Sequence, residues 1–383
     1  MRKLRNLNLS IPKVQGVLLS LLINANILTL LGFPKGITAT VNSVAIIVIH
    51  FATQKVVIRE KIDLLCATIL FLFTYSLLSL GINPNTFAFS IYIKYLIILA
   101  VCYIATKQNL ESIRYFIGST VALNIALSVV SLYDVKIILS NQSINYLTVT
   151  YALGISFIYC FISSFTNKRH KIQNAIFTIL LFAAILMYPS RGTILFSLFV
   201  CLLFLLYRAK SSLKMKFLLL TFVLAATAFF FWLWESYLKS TYLAYRFIGL
   251  FTETGDEPRI ELYQKVLLGI KENWLWGVGI GNSSLYCEIY PHNIFMEAWL
   301  ELGIVGVFVY SIFIFVLLKK AIASMKVNDL GIVMFFCFLY GLLNFQKSFS
   351  IQYSQYFVIF PCFSIALLKI FRNNKSSEHR ADI

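Results

Sequence analysis

The chain has 383 residues, a formal net charge of +17, 59% hydrophobic residues and only 13% charged ones. Soluble domains carry about 25% charge, so these values, with a mean hydropathy of +0.81, exclude a water-soluble globular protein. The positive charge is not a nucleic-acid footprint, because Lys and Arg fall in short clusters between apolar runs, where they act as topology signals.

The apolar runs are close to the ~20 residues that cross a bilayer as helix. They lack the period-2 alternation of a membrane barrel. Lipid offers no partner to unpaired backbone groups, so an all-α polytopic membrane protein is expected. The basic, then apolar, N-terminus has no small-residue cleavage site after its first run, and reads as the first span rather than a removed signal. About twelve spans follow, at 14–33, 38–54, 64–82, 87–105, 115–132, 147–166, 175–189, 193–207, 217–234, 303–318, 330–344 and 354–371. With residues 1–13 placed in the cytoplasm, alternate connections hold most of the 33 basic residues. That bias puts both termini in the cytoplasm.

The outside connections are mostly short, as at 33–37, 83–86 and 189–192, and the long exception is 235–302. The chain therefore divides into spans at 1–234, a polar loop at 235–302, and spans plus a tail at 303–383. Loops of this size are usually functional or disordered. This one is rich in Trp, Tyr and Phe and holds most of the 16 acidic residues, which argues against disorder. Asp256-Glu257-Pro258 is a helix start, and Ile260, Tyr263, Leu267 and Ile270 follow at helical spacing up to Asn273. Gly277, Gly279 and Gly281 mark a tight reversal. They lack the strand and the Lys-Ser/Thr of a nucleotide loop. A second helix begins at Pro291–Asn293 and runs to Gly303, with Phe295, Trp299 and Leu302 as its apolar stripe and Glu297 and Glu301 one turn apart. Such helices lie on the membrane surface or pack over the bundle. The seven cysteines are scattered singly without metal spacing. Only Cys287 lies in the loop, so no disulfide can form within it.

The candidate chemical residues follow from this topology. His292, one of four histidines, stands at a helix N-terminus, where the macrodipole disfavours imidazolium and keeps the ring neutral. A neutral ring accepts a proton from a sugar hydroxyl; the alternative is a capping or interfacial histidine. Asn293 either orients substrate or caps the helix. Arg191, in Pro189-Ser190-Arg191-Gly192-Thr193, lies at the outer interface against the charge bias. It either snorkels to lipid phosphate or clamps a diphosphate. Arg259 sits in the first turn of its helix, where the dipole disfavours a cation, so it serves an anion or pairs with Glu257 or Glu261. Arg246, between Tyr245 and Phe247, reads first as a membrane-surface anchor. Lys94 lies inside a span, a functional position by default, unless it snorkels to the outer face. The carboxylates form no distinct glycosidase-like pair.

Three motifs resemble the O-antigen polymerases and O-antigen ligases of bacterial envelopes. They are Ser190-Arg191-Gly192 opening a span, Pro258-Arg259-Ile260-Glu261-Leu262-Tyr263 leading to Trp276-Gly277-Val278-Gly279, and Pro291-His292-Asn293-Ile294-Phe295-Met296-Glu297 followed by Glu301-Leu302-Gly303-Ile304-Val305-Gly306. Their order and spacing match over roughly 175–320, while the first half matches in hydropathy only. The resemblance implies an inverting glycosyltransferase of the bacterial inner membrane, with no metal and no cofactor. Its donor is a glycan on undecaprenyl diphosphate and its active site faces the periplasm. Arg191 and Arg259, with Lys94 and Arg246 as further cations, are expected on the diphosphate. His292 is expected on the acceptor hydroxyl, and Asn293 and Glu297 as acceptor contacts or structural support. Polymerase is the first reading, because the stretch from Arg259 to His292 is short; ligase, with lipid A–core as acceptor, is the alternative. A chain-length regulator and a flippase are the expected protein partners, beside membrane lipid. A lipid-linked oligosaccharide flippase is disfavoured, because the polar residues gather in one loop and the two halves look unlike.

Overall fold

Apolar runs punctuated by asparagine set the architecture. In the computed structural model, which describes residues 10–32, 35–53, 64–141, 144–209, scattered positions between 213 and 228, 258–288 and 290–381, all regular structure is helical. The helices are α1 (Ile11–Ile23), α2 (Ala25–Leu30), α3 (Lys35–Thr53), α4 (Leu64–Leu80), α5 (Thr86–Ala105), α6 (Leu110–Asp134), α7 (Lys136–Leu139), α8 (Tyr146–Thr166), α9 (Lys171–Leu186), α10 (Arg191–Arg208), α11 (Pro258–Glu272), α12 (Ile294–Ser324), α13 (Asp329–Phe345) and α14 (Gln355–Ala381). Among the described residues six helices are long and apolar enough to cross a membrane: Thr86–Ala105, Leu110–Asp134, Tyr146–Thr166, Arg191–Arg208, Ile294–Ser324 and Gln355–Asn374. Shorter apolar helices occupy Ile11–Ile23, Val41–Ala52, Leu64–Leu80, Lys171–Leu186 and Asp329–Phe345. The chain is a polytopic membrane protein whose described residues form helices and no strands.

Helix starts follow side-chain chemistry. Asn85, Asn145, Asn293 and Asn328 each accept a hydrogen bond from a backbone N–H of the first turn that follows them, which satisfies donors a helix leaves open at its N-terminus. The expected first span is broken. Asn24 leaves helical geometry at φ −103°, ψ 27° and its amide donates to Ser20 O at 2.9 Å, so α1 and α2 form in place of one helix. An asparagine bonding to nearby backbone competes with the helix ladder in this way. The expected ninth span, 217–234, falls mostly outside the described residues.

Two units form, one from Met1–Ala122 and Glu257–Ile383, the other from Leu123–Asp256. In the first, α4 and α14 pack on α12, and α13 and α5 pack on α14. Aromatic contacts close its core: Phe345 meets Phe357 at 4.6 Å and Phe116 meets Phe363 at 4.8 Å. In the second, α8 is sandwiched by α9 and α10. Buried polar groups pair there as well: Asn124 Nδ2 donates to Ser156 Oγ at 2.9 Å, and the Ser131 and Tyr188 hydroxyls lie 2.6 Å apart.

Candidate functional site

The His292 motif is built around a break in α12. Gly303 adopts φ 66°, ψ −170° inside the helix, a region open essentially to glycine alone. The break strands backbone groups, and each finds a partner. Val278 N donates to Leu300 O at 2.8 Å, Gly279 N to Glu301 O at 3.0 Å, and Ile304 N to Trp274 O at 2.9 Å. The Tyr75 hydroxyl donates to Leu302 O at 2.9 Å, and Ser79 Oγ to Glu301 O at 3.3 Å. The stretch 274–283 is thus stitched to α12 and to the C-terminal end of α4. As expected for a tight reversal, Gly277, Gly279 and Gly281 all have positive φ. A Cβ on Gly277 would meet Glu301 O at 2.5 Å.

The two carboxylates of this segment point inward, not outward. Glu297 and Glu301 are 3% and 4% exposed, whereas Trp299 of the apolar stripe is exposed. Glu301 Oε2 accepts from Gly281 N at 2.9 Å and its Oε1 from Ser283 N at 3.3 Å. Glu297 Oε1 accepts from Ser350 Oγ, and its Oε2 from Ile351 N at 3.0 Å. Each glutamate therefore fastens a different chain segment to the helix that His292 precedes. They line one small cleft, with Tyr95, Ile280 and Gln352 among its walls. Glu301→Ala leaves two buried N–H groups without an acceptor, at about 1–3 kcal/mol each, whereas Glu301→Gln keeps one acceptor oxygen. Thermal unfolding of purified variants is expected to rank wild type and Gln above Ala, and an Ala variant as stable as wild type would contradict the assignment.

His292 precedes the helix in a left-handed conformation, φ 59°, and is the only non-glycine residue with positive φ among the described residues. Its half-buried ring sits edge-on to Tyr290 at 4.5 Å. Asn293 caps the helix, accepting from Phe295 N at 3.0 Å and Met296 N at 3.1 Å, while its Nδ2 donates to Gln346 O at 3.3 Å. Tyr290 Oη donates to Ser348 O at 3.4 Å. Burial pushes the Tyr290 phenol up, so it stays protonated. Together with the bonds to Glu297, these contacts clamp the segment 346–351 against the histidine motif. That short connection between α13 and α14 carries Ser348 and Ser350, and its polar residues between two apolar runs were the only sequence signal for it.

The other candidate residues are placed as follows. Arg259 belongs to the first turn of α11 in the same unit as His292, and its side chain lies outside what is described. Glu261, its proposed ion-pair partner, is held by Lys265 at 2.6 Å. Arg246 lies outside the described residues. Lys94 is exposed on α5, between buried Tyr92 and Tyr95. Arg191 is half-buried at the first position of α10, in the second unit. Its turn is fixed by Ser190 Oγ, 2.8 Å from Thr193 Oγ1, and by Thr193 Oγ1 donating to Thr150 Oγ1 at 3.2 Å. Helix α11 buries Val266 and Ile270 against Val278, Cys287 and Leu300. The expected stripe members Ile260 and Leu267 are exposed instead.

Cys287 has no sign of reactivity. Its thiol donates to Ser283 O at 3.0 Å, and burial, aided by the Glu297 and Glu301 carboxylates, pushes it up to about 12. The thiolate is the nucleophile, and at neutral pH almost none is present. Maleimide is expected to leave Cys287 unlabelled in the native protein and to label it after denaturation, read by mass spectrometry of the loop peptide. Rapid labelling of native protein would contradict this.

Residues 176–311 match the family model described as O-antigen ligase, Wzy_C. No curated protein matches the chain. Over the matched residues the resemblance to O-antigen polymerases and ligases holds, and it takes in Ser190-Arg191-Gly192, Arg259 and the His292 motif.

Proposed function

We propose, from that match, that this protein is an O-antigen or related surface-polysaccharide polymerase. It transfers a glycan from undecaprenyl diphosphate to a hydroxyl of a second lipid-linked repeat unit, at the periplasmic face of the inner membrane. About twelve spans with cytoplasmic termini deliver the stretch 235–302 to that face. The observation that carries the reading is the histidine motif itself. A non-glycine residue held in the left-handed region is a strained device that persists where surrounding structure enforces it, and such residues cluster at active sites.

In the proposed reaction the acceptor hydroxyl oxygen attacks the anomeric carbon as the carbon–oxygen bond to the diphosphate breaks. The hydroxyl proton passes to His292 and the electron pair leaves with the diphosphate, so the configuration inverts. Arg191 and Arg259 balance the charge that develops on the leaving group, with Lys94 and Arg246 as further cations near the carrier. Asn293 and Glu297 support the motif from behind. A metal is not required for these steps, because the arginines supply the positive charge.

Ligase is the second reading, favoured by the description of the matching family model. The two differ only in acceptor. A deletion strain complemented with the wild-type gene separates them. A polymerase restores a ladder from a strain that shows core plus a single repeat unit. A ligase restores it from a strain that shows bare core and polymer retained on undecaprenyl diphosphate; that outcome overturns the first reading. A chain-length regulator and a flippase are the partners that such a polymerase works beside.

A further inference from the structure

Helix α11 has two apolar arcs, and the protein covers one of them. Leu262, Val266 and Ile270 pack inward against Val278, Met296 and Leu300. On the other arc Ile260 and Leu267 are 60% and 55% exposed, and Leu268 is exposed beside them. At 3.6 residues per turn Lys271 falls on this same arc. The neighbouring turn adds Trp274 and Trp276, 56% and 59% exposed, with Trp299 open beside them and its indole N–H donating to Trp274 O at 3.3 Å. Exposed Gln264 and Lys271 stand among these apolar side chains, and an exposed apolar surface bordered by polar residues marks an interaction site.

The height of this surface is fixed by hydrogen bonds to the outer ends of two apolar helices. Asn83 Nδ2, in the turn between α4 and α5, donates to Val278 O at 2.8 Å. Asn85, the cap of α5, donates to Asn282 Oδ1 at 2.7 Å. Ile280 N donates to Ser79 Oγ in the last turn of α4 at 3.0 Å. In that same last turn Leu77 and Leu78 are exposed, as lipid-facing side chains of an apolar helix are. The tryptophan turn therefore sits where the lipid-facing surface ends, and exposed apolar residues continue along α12 at Phe308 and Phe315.

We propose that the outer arc of α11 and Trp274, Trp276 and Trp299 are seated in the headgroup layer of the bilayer. Phospholipid is the occupant. Tryptophan rings are amphipathic and collect at this depth. An amphipathic helix lies there with its apolar face toward the acyl chains, and Lys271 reaches past Leu267 and Leu268 to a lipid phosphate. Because α11 packs on the start of α12, the seat also holds His292 at the level of lipid phosphates. That last consequence rests on the proposed function; the seat itself does not.

The test uses the full chain in nanodiscs whose lipids carry bromine near the headgroup or deep in the acyl chain, with tryptophan emission as readout. Trp276→Phe is compared with wild type, so that Trp232 and Trp234 cancel. Trp276→Phe also spares the indole bond of Trp299, and Trp274→Phe provides a second comparison should the first variant fold poorly. The emission lost in each variant is expected to be the part quenched by shallow bromine and spared by aqueous iodide. If iodide quenches that part, the surface faces water and the proposal is wrong. If neither quencher reaches it, protein covers the surface, from this chain or a second copy, and the proposal is equally wrong.

Discussion

His292→Ala is expected to lower turnover by about 10²–10⁴-fold, the usual worth of a positioned general base, with the amount of folded protein unchanged. The imidazole packs edge-on against Tyr290, but the bonds that cap the helix and join it to its neighbours come from other side chains. Asn293, not His292, caps α12, and the link to the segment 346–351 runs through Asn293, Tyr290 and Glu297. Alanine also adopts the same left-handed backbone that His292 holds at φ 59° with little change in strain. A His292→Gly control relieves that strain, contributing on the order of 1 kcal/mol, and is expected to be as inactive as Ala while no less stable. The loss should appear in kcat more than in KM, since a proton acceptor acts in the transition state and not in binding. An equally expressed His292→Ala protein with undiminished turnover would remove the histidine from the mechanism and reopen the transporter reading.

Gly303→Ala is expected to prevent stable folding. Its φ and ψ alone are worth about 1–3 kcal/mol against a non-glycine residue. An added Cβ would also run into the Leu275 carbonyl and the Trp276 backbone. Neither neighbour is a flexible side chain, so the clash is relieved only by pushing the 274–283 stretch off α12. That movement breaks the bonds from Val278 N to Leu300 O, from Gly279 N to Glu301 O and from Ile304 N to Trp274 O. Several buried backbone groups then stand unpaired, each at a further ~1–3 kcal/mol, against a total stability of ~5–15 kcal/mol for a typical domain. Size-exclusion profiles and thermal unfolding of detergent-purified protein measure the outcome. A Gly303→Ala protein with wild-type elution and melting would show that the break is dispensable.

The helical architecture was legible because a bilayer demands it: long apolar runs formed helices, Asn293 caps the helix it precedes, and the glycine-marked reversal at 277–281 formed where expected. Two things were hidden for one physical reason. In a membrane protein, apolar residues face lipid as well as core, so hydrophobic spacing does not say which arc is buried. Ile260 and Leu267, read at one helical spacing with Ile270, are exposed, while Ile270 and Val266 are buried. Of the apolar stripe Phe295–Trp299–Leu302 only Leu302 is fully buried, and Glu297 and Glu301 are buried as deeply. Their burial depends on N–H donors from Gly281, Ser283 and Ile351, which the chain brings up from 18 to 54 residues away. Spacing within one helix carries no trace of such partners. Gly303 read as a stop, whereas the helix resumes at once because Trp274 O captures the freed Ile304 N–H. Arg191 and His292 belong to separate units, and their action on one substrate is the part of the proposal that chemistry must test.

The most direct measurement is reconstitution of the purified protein in liposomes with a lipid-linked repeat unit, lipid A–core and a metal chelator, with products resolved by gel and mass spectrometry. The account predicts multi-repeat glycans on undecaprenyl diphosphate, formed without metal and lost together in His292→Ala, Arg191→Ala and Arg259→Ala. Glycan appearing only on lipid A–core, or repeat units crossing the bilayer with no new glycosidic bond, would contradict it.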